Sequence, residues 1–143
     1  MPHRSVRSII EKQNLLTASP ETTVTEAAGL MKRSRVGAIM VVEGGRLAGI
    51  FTERDALFRV VADGRDPRTT RLAEVMTRNL QTIGPDKPLG HALHMMYEGG
   101  FRHVPVVENG VPIGMVSARD ALGPELLDFE AELVQREHIR EIL

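Results

Sequence analysis

Two short segments of the chain carry the same polar pair at the same spacing, Thr52-x-x-Asp55 and Ser117-x-x-Asp120. In each, an apolar stretch leads up to the hydroxyl residue. A hydroxyl and an acid three positions apart suit a helix cap: the hydroxyl accepts from a first-turn N–H, and the acid sits at the positive end of the helix. The same groups suit a ligand. A carboxylate can take both hydroxyls of a ribose while the hydroxyl side chain and the free N–H groups of the helix start face a phosphate. The two uses are compatible, and spacing alone does not choose between them. Arg54 and Arg119 precede the two acids, with Glu53 beside the first and Ala118 beside the second.

Other chemistry finds less support. The chain has no cysteine, which removes disulfides, zinc ribbons and thiol nucleophiles. His91 and His94 have a spacing that a metal could use on a helix, but no third ligand accompanies them, so a surface or packing role is expected and no metal site is assigned. Asp128, Glu130 and Glu132 fall in a charged helical stretch and read as solvated. There is no nucleophile elbow, no phosphate-binding glycine loop with lysine and no EF-hand loop. Catalysis is therefore not expected. With 18 basic against 19 acidic residues, the near-neutral charge weighs against a nucleic-acid coat. No apolar run approaches a membrane span, and Met1-Pro2-His3-Arg4-Ser5 lacks the apolar core of a secretory signal, so a soluble cytoplasmic protein is expected.

The elements that carry the two pairs occur twice. Adding 65 to a position between Pro20 and Leu57 lands without a gap on a related residue, and Val41/Val106, Gly49/Gly114, Arg54/Arg119 and Asp55/Asp120 are among the identities. Each copy reads as β-α-β-β-α. A short extended piece (15–17 or 80–82) precedes a proline turn and an amphipathic helix with Val24, Ala27, Ala28 and Met31, or Leu89, Ala92, Leu93 and Met96, at helical spacing. Thr23 and Glu26 have the spacing of a capping box. An apolar strand (38–42 or 103–107), a glycine turn and a second strand (47–51 or 112–116) form a hairpin, and a helix starts at Thr52 or Ser117. One copy alone is marginal for an independent core. The expected architecture is thus α+β, two repeats packed sheet to sheet with pseudo-twofold symmetry. The expected boundaries are 5–62 and 68–122, each with a lead-in helix (Val6, Ile9, Ile10 or Leu72, Val75, Met76), and a C-terminal helix over 123–143.

The segments Gly49-Ile50-Phe51-Thr52-Glu53-Arg54-Asp55 and Gly114-Met115-Val116-Ser117-Ala118-Arg119-Asp120 resemble the signature end of the cystathionine-β-synthase (CBS) domain. The strands Gly37-Ala38-Ile39-Met40-Val41-Val42 and Arg102-His103-Val104-Pro105-Val106-Val107 resemble the strand before it. Two such domains in tandem form a Bateman module, and the resemblance covers residues 5–122. It implies regulatory binding of adenosine-containing ligands: AMP, ADP, ATP, NAD or S-adenosylmethionine. Carried over by position, Asp55 and Asp120 hold ribose, and Thr52 and Ser117 lie beside phosphate. Adenine lies against Thr17, Ala18, Gly37, Ala38, Ile39 and Met40 in one half, and against Thr82, Ile83, His103, Val104 and Pro105 in the other. In the family a ribose acid closes the adenine wall of the opposite repeat, which pairs Asp120 with the first wall and Asp55 with the second.

Arg102 and His103 stand where the first repeat has Gly37 and Ala38, and the same carry-over assigns this basic pair to the Asp120 site. With Glu53 opposing phosphate near Asp55, Asp120 is then expected to be the better anion binder. The resemblance further implies a homodimer and a regulated partner protein that the sequence does not identify. The stretch after Gly123-Pro124, with Leu126, Leu127, Phe129, Leu133, Val134, Ile139, Ile142 and Leu143, is expected to pack against a partner chain, with fold-back onto its own module as the alternative. Two alternatives stand beside this reading: an interaction scaffold with vestigial, empty sites, and a weak nucleotide hydrolase.

Overall fold

A computed structural model of the chain describes residues 4–121 and 131–137. The first repeat opens with strand β1 (Thr17–Ala18) and helix α2 (Val24–Ser34), which follows a short lead-in helix α1 (Val6–Ile10). The capping box closes as its spacing predicts: Thr23 Oγ1 accepts from the Glu26 amide at 3.2 Å, and Glu26 Oε2 accepts from the Thr23 amide at 3.4 Å. Val24, Ala27 and Met31 form the buried stripe of α2, and the helix stops at Arg35 in a left-handed conformation. Strands β2 (Ala38–Glu43) and β3 (Arg46–Thr52) then form a hairpin whose turn, Gly44-Gly45, has both φ angles positive, the geometry that suits the right-handed twist of paired strands. Thr52 caps α3 (Glu53–Asp55), which continues as a π-helical turn over Ala56–Val61.

The second repeat retraces this path at the same offset. After α4 (Leu72–Val75) come α5 (Leu89–Gly99), β4 (His103–Glu108) and β5 (Val111–Ser117). Gly100 takes the left-handed place of Arg35, and Asn109-Gly110 that of the glycine turn. Even the register shift is repeated, between Val41 and Val42 and between Val106 and Val107. Two differences appear. The extended piece expected over 80–82 forms no strand, leaving a single parallel bridge from Ile83 to Val106 where the first repeat pairs Thr17–Ala18 with Met40–Val41. Ser117 opens a 3-10 turn, Ala118–Ala121, rather than a regular helix over the described residues.

The alternation of side chains along the strands sorts them into two faces. Ile39, Val41 and Phe51 join α2 in one core, and Val104, Val106 and Val116 join α5 in a second. The opposite faces carry Ala38, Met40, Ile50 and Thr52 in the first repeat and His103, Pro105, Met115 and Ser117 in the second. Met40 and Pro105 on these faces are also fully buried, and β3 contacts β5, so the repeats meet sheet to sheet. Burial on both faces explains why the strands read as continuous apolar runs.

The lead-in helices are exchanged. Sequence order groups each with the repeat that follows it, but Val6 and Ile10 complete the core of the second repeat, and Leu72, Val75 and Met76 complete that of the first. The backbone repeats the exchange: the Val6 amide donates to Lys87 O at 2.9 Å, and the Leu72 amide donates to Thr22 O at 2.9 Å. Paired glycines admit the crossing segments. A Cβ at Gly49 would lie 2.8 Å from Met76 Sδ and from Thr77 O, and one at Gly114 would lie 2.5 Å from Ile10 Cγ2. Each repeat is thus finished by a segment from the far side of the pair. Of the C-terminal helix, residues 131–137 are helical, with Leu133 and Val134 exposed; the expectations for Leu126, Leu127, Phe129, Ile139, Ile142 and Leu143 lie outside the described residues.

Candidate functional site

Strand alternation brings Thr52, at the end of β3, and His103, at the start of β4, onto the face shared by the two repeats. Between them lies a cleft of about 900 Å³. Thr52, Glu53, Arg54 and Asp55 line it from the first repeat, with Leu57 and Phe58 of the π-helical turn. Asn79, Leu80 and Gln81 line it from the second, followed by Phe101, Arg102 and His103. Arg54 spans the opening, its guanidinium 3.4 Å from Gly100 O. The cleft thus combines apolar side chains with two hydroxyls, two carboxylates, three arginines and an imidazole, a composition that suits a small amphiphilic anion.

At its floor the helix-cap reading of Thr52 and Asp55 is realised. Asp55 Oδ2 accepts from the Thr52 amide at 3.0 Å and the Thr52 hydroxyl at 3.1 Å, while Thr52 Oγ1 accepts from the Asp55 amide at 3.1 Å. The other carboxylate oxygen, Oδ1, accepts from the Thr77 hydroxyl at 3.2 Å and lies 3.5 Å from Arg59 Nε. Arg59 also donates to the Val75 and Met76 carbonyls at the end of the crossing helix α4. Asp55 is consequently only 7% exposed. Its counterpart is held by less. Asp120 Oδ2 accepts from the Ser117 amide at 2.8 Å and the Ser117 hydroxyl at 3.4 Å, which accounts for its hydrogen bonds among the described residues.

The basic residues fall differently from expectation. Arg102 and His103 line the cleft that holds Asp55, rather than belonging with Asp120 alone. The backbone explains this: the extension from Gly99 into β4 runs along the face opposite Thr52. The imidazole of His103 feels both acids' surroundings. Burial pushes its pKa below the ordinary value, the Glu53 and Asp120 carboxylates pull it upward, and Arg102 and Arg119 lower it further. Glu53 folds back over Gly37, where a Cβ would come within 2.8 Å of its carboxylate. Small and large residues are exchanged here. Gly37 makes room for Glu53, whereas Ala118 stands opposite the carbonyl of Arg102, and the bonds Glu53 N to Gly37 O and Ala118 N to Arg102 O are equivalent.

The remaining candidates separate. Ile39, Val104 and Ile83 belong to the two cores, and Ala38, Met40 and Pro105 are buried on the inter-repeat face, so none of these lines the large cleft. Thr82 is exposed beside it, the wall being formed one to three residues earlier. Thr17 and Ala18 line a smaller hollow with Thr22, Thr25, Glu26 and Arg33 of the α2 side. His94 Nε2 lies 3.0 Å from Glu98 Oε1 on an exposed helix face. Thr77 and Arg59 escaped sequence reasoning. Neither has a counterpart of its own type in the repeat, and only the exchange of lead-in helices brings Thr77 to Asp55.

The comparisons with known proteins agree with this architecture. The CBS domain profile matches residues 6–62 and 72–123. The chain is 40% identical over 116 residues to the CBS domain-containing protein YhcV of Bacillus subtilis, covering 81% of each chain. Other curated relatives are longer, the chain spanning from 60% down to 16% of their length. Among solved structures, a putative signal-transduction protein with CBS domains from Burkholderia ambifaria superposes with a TM-score of 0.80 at 31% identity, over 87% of this chain and 95% of that one. The CBS domain pair of protein MJ0100, in complex with 5′-methylthioadenosine and S-adenosyl-L-methionine, superposes with a TM-score of 0.76 at 26% identity, over 90% of this chain and 99% of that one. With both halves matched and the two repeats interlocked through their lead-in helices, this chain belongs to the CBS domain family and is a tandem CBS pair, a regulatory module.

Proposed function

We propose that the module senses an adenosine-containing ligand, AMP, ADP, ATP or NAD, in the cleft between its repeats, and passes the bound state to a dimer partner or to a regulated protein in the cytoplasm. The observation that carries this reading is the joint lining of one cleft by Thr52 and Asp55 of the first repeat and by Leu80, Phe101, Arg102 and His103 of the second. Apolar side chains supply a surface for adenine, the carboxylate a partner for ribose, and Arg54, Arg102 and His103 the charge for phosphate. The adenosine compounds bound by the MJ0100 pair support the ligand class. The basic pair makes the Asp55 cleft the stronger anion site, the reverse of the order expected from sequence.

The module's action is binding rather than turnover. A second reading, a scaffold whose cleft stays empty, is favoured by one observation: both Asp55 oxygens already have protein donors. A thermal-shift panel of AMP, ADP, ATP, NAD, NADH and S-adenosylmethionine decides between them. Specific binding stabilises the folded state by about 2.7 kcal/mol at a hundredfold excess over Kd. The expected result is a shift with at least one phosphate-bearing ligand that Arg102→Ala reduces. No shift with any member assigns the scaffold role.

A further inference from the structure

The tie between Asp55 and Thr77 joins two parts of the chain that the repeat does not relate. Oδ2 of Asp55 is committed to the Thr52 cap, and Oδ1 faces the Thr77 hydroxyl at 3.2 Å. Thr77 follows the crossing helix α4, and its backbone exchanges hydrogen bonds with Ile50 in both directions, at 3.0 and 2.8 Å. The backbone of the residue is therefore held in place, and a change of χ1 alone would turn its hydroxyl away from Asp55. Among the described residues, no hydroxyl bonds to Asp120 from the corresponding place in the second repeat. There the side-chain amide of Gln13 exchanges hydrogen bonds with Met115, the counterpart of Ile50, at 2.6 and 3.0 Å.

A ribose offers two hydroxyl donors to a carboxylate, and the Thr77 hydroxyl is the same kind of donor already in position. Both Asp55 and Thr77 line the cleft. We propose that Thr77 is a built-in competitor for the ribose-binding carboxylate, and so the residue that sets this cleft's affinity for ligands with an intact ribose diol. The inference rests on the adenosine-binding reading of the cleft. Arg59 is the lesser obstacle, because its Nε lies at 3.5 Å from Oδ1 and its other nitrogen stays bonded to the α4 carbonyls. Binding then requires one threonine rotation and no rearrangement of strands. Removing the hydroxyl leaves a buried carboxylate oxygen short of a donor, which a ribose hydroxyl can supply.

Calorimetric titration of the full chain with AMP and with its 2′,3′-dideoxy analogue tests the idea. Thr77→Val should bind AMP about tenfold more tightly than the unmodified protein, the gain expected from removing a competing bond to a charged group. The dideoxy analogue should bind both proteins equally, and Thr77→Ser, which keeps the hydroxyl, should bind AMP as the unmodified protein does. Thr77→Ala repeats the measurement if valine prevents folding, which thermal unfolding of each variant reveals. Unchanged or weaker AMP binding by folded hydroxyl-free variants overturns the proposal, as does an equal gain for both ligands. If AMP binds the unmodified protein with dependence on Asp55, such a result removes the competitor role alone. If no adenosine compound binds any variant, the reading of the cleft falls with it.

Discussion

Asp55 and Asp120 occupy equivalent places in two copies of one sequence unit, yet their surroundings differ. Asp55 is enclosed by donors from three elements: the Thr52 cap, Thr77 beyond the crossing helix, and Arg59 of the π-helical turn. Asp120 keeps only the cap to Ser117 among the described residues. The difference arises from the segments that cross between repeats. The segment that leaves α4 presents a hydroxyl to Asp55, while the one that leaves α1 presents the Gln13 amide to Met115. Duplication thus preserved the motif, and the non-repeated connections changed its chemistry.

The exchange of lead-in helices is the strongest point at which to break this arrangement. Leu72 is fully buried in the core of the first repeat although it precedes the second. Leu72→Ala should destabilise the protein by about 2–5 kcal/mol, and hydrogen exchange should show α2 losing protection ahead of α5. Loss of protection confined to the second repeat would contradict the exchanged packing.

A smaller effect separates the two acids. Without ligand, Asp55→Ala should cost about 1–3 kcal/mol, since it removes the cap and leaves Thr77 and Arg59 without their acceptor. Asp120→Ala removes a cap alone and should cost about 1 kcal/mol or less. Chemical denaturation of both variants measures the difference, and equal losses would show that the additional donors around Asp55 contribute nothing to stability.

The smallest effect concerns His103. Its pKa is lowered in the folded state, chiefly by burial, so the unfolded chain binds the proton more tightly. This contribution to stability is therefore complete above the unfolded value of about 6.5 and is lost as pH falls through the lowered folded value. His103→Gln should remove that part of the acid-side slope while leaving stability near pH 8 within about 1 kcal/mol. An unchanged slope between the two proteins would mean that Glu53 and Asp120 cancel the effect of burial.

Much of this organisation was legible from the residues. The gapless offset between the copies predicted matching helices and hairpins, and Thr23 with Glu26 predicted a helix start, because these are properties of local backbone and side-chain period. The same period placed His103 at the start of a strand and Thr52 at the start of a helix. Pairing Asp55 with the wall of the second repeat already placed His103 opposite Asp55, where the cleft has it, and assigning Arg102 and His103 to Asp120 ran against that pairing. Ile39, Val104 and Ile83 lie in the two cores: alternation tells which residues share a face, but only packing tells which face is core.

The sequence by itself determined the repeat, its element order and the hydroxyl–acid pair at each helix start, since these depend on interactions between residues a few positions apart. Tertiary structure alone decided that α1 and α4 change places, that Gly49 and Gly114 receive them, and that Thr77 meets Asp55. Those contacts join positions 22 to more than 100 residues apart in the chain, where no periodicity links the partners. The apolar side chains of each lead-in helix are buried in the core of the other repeat, and that burial completes both cores.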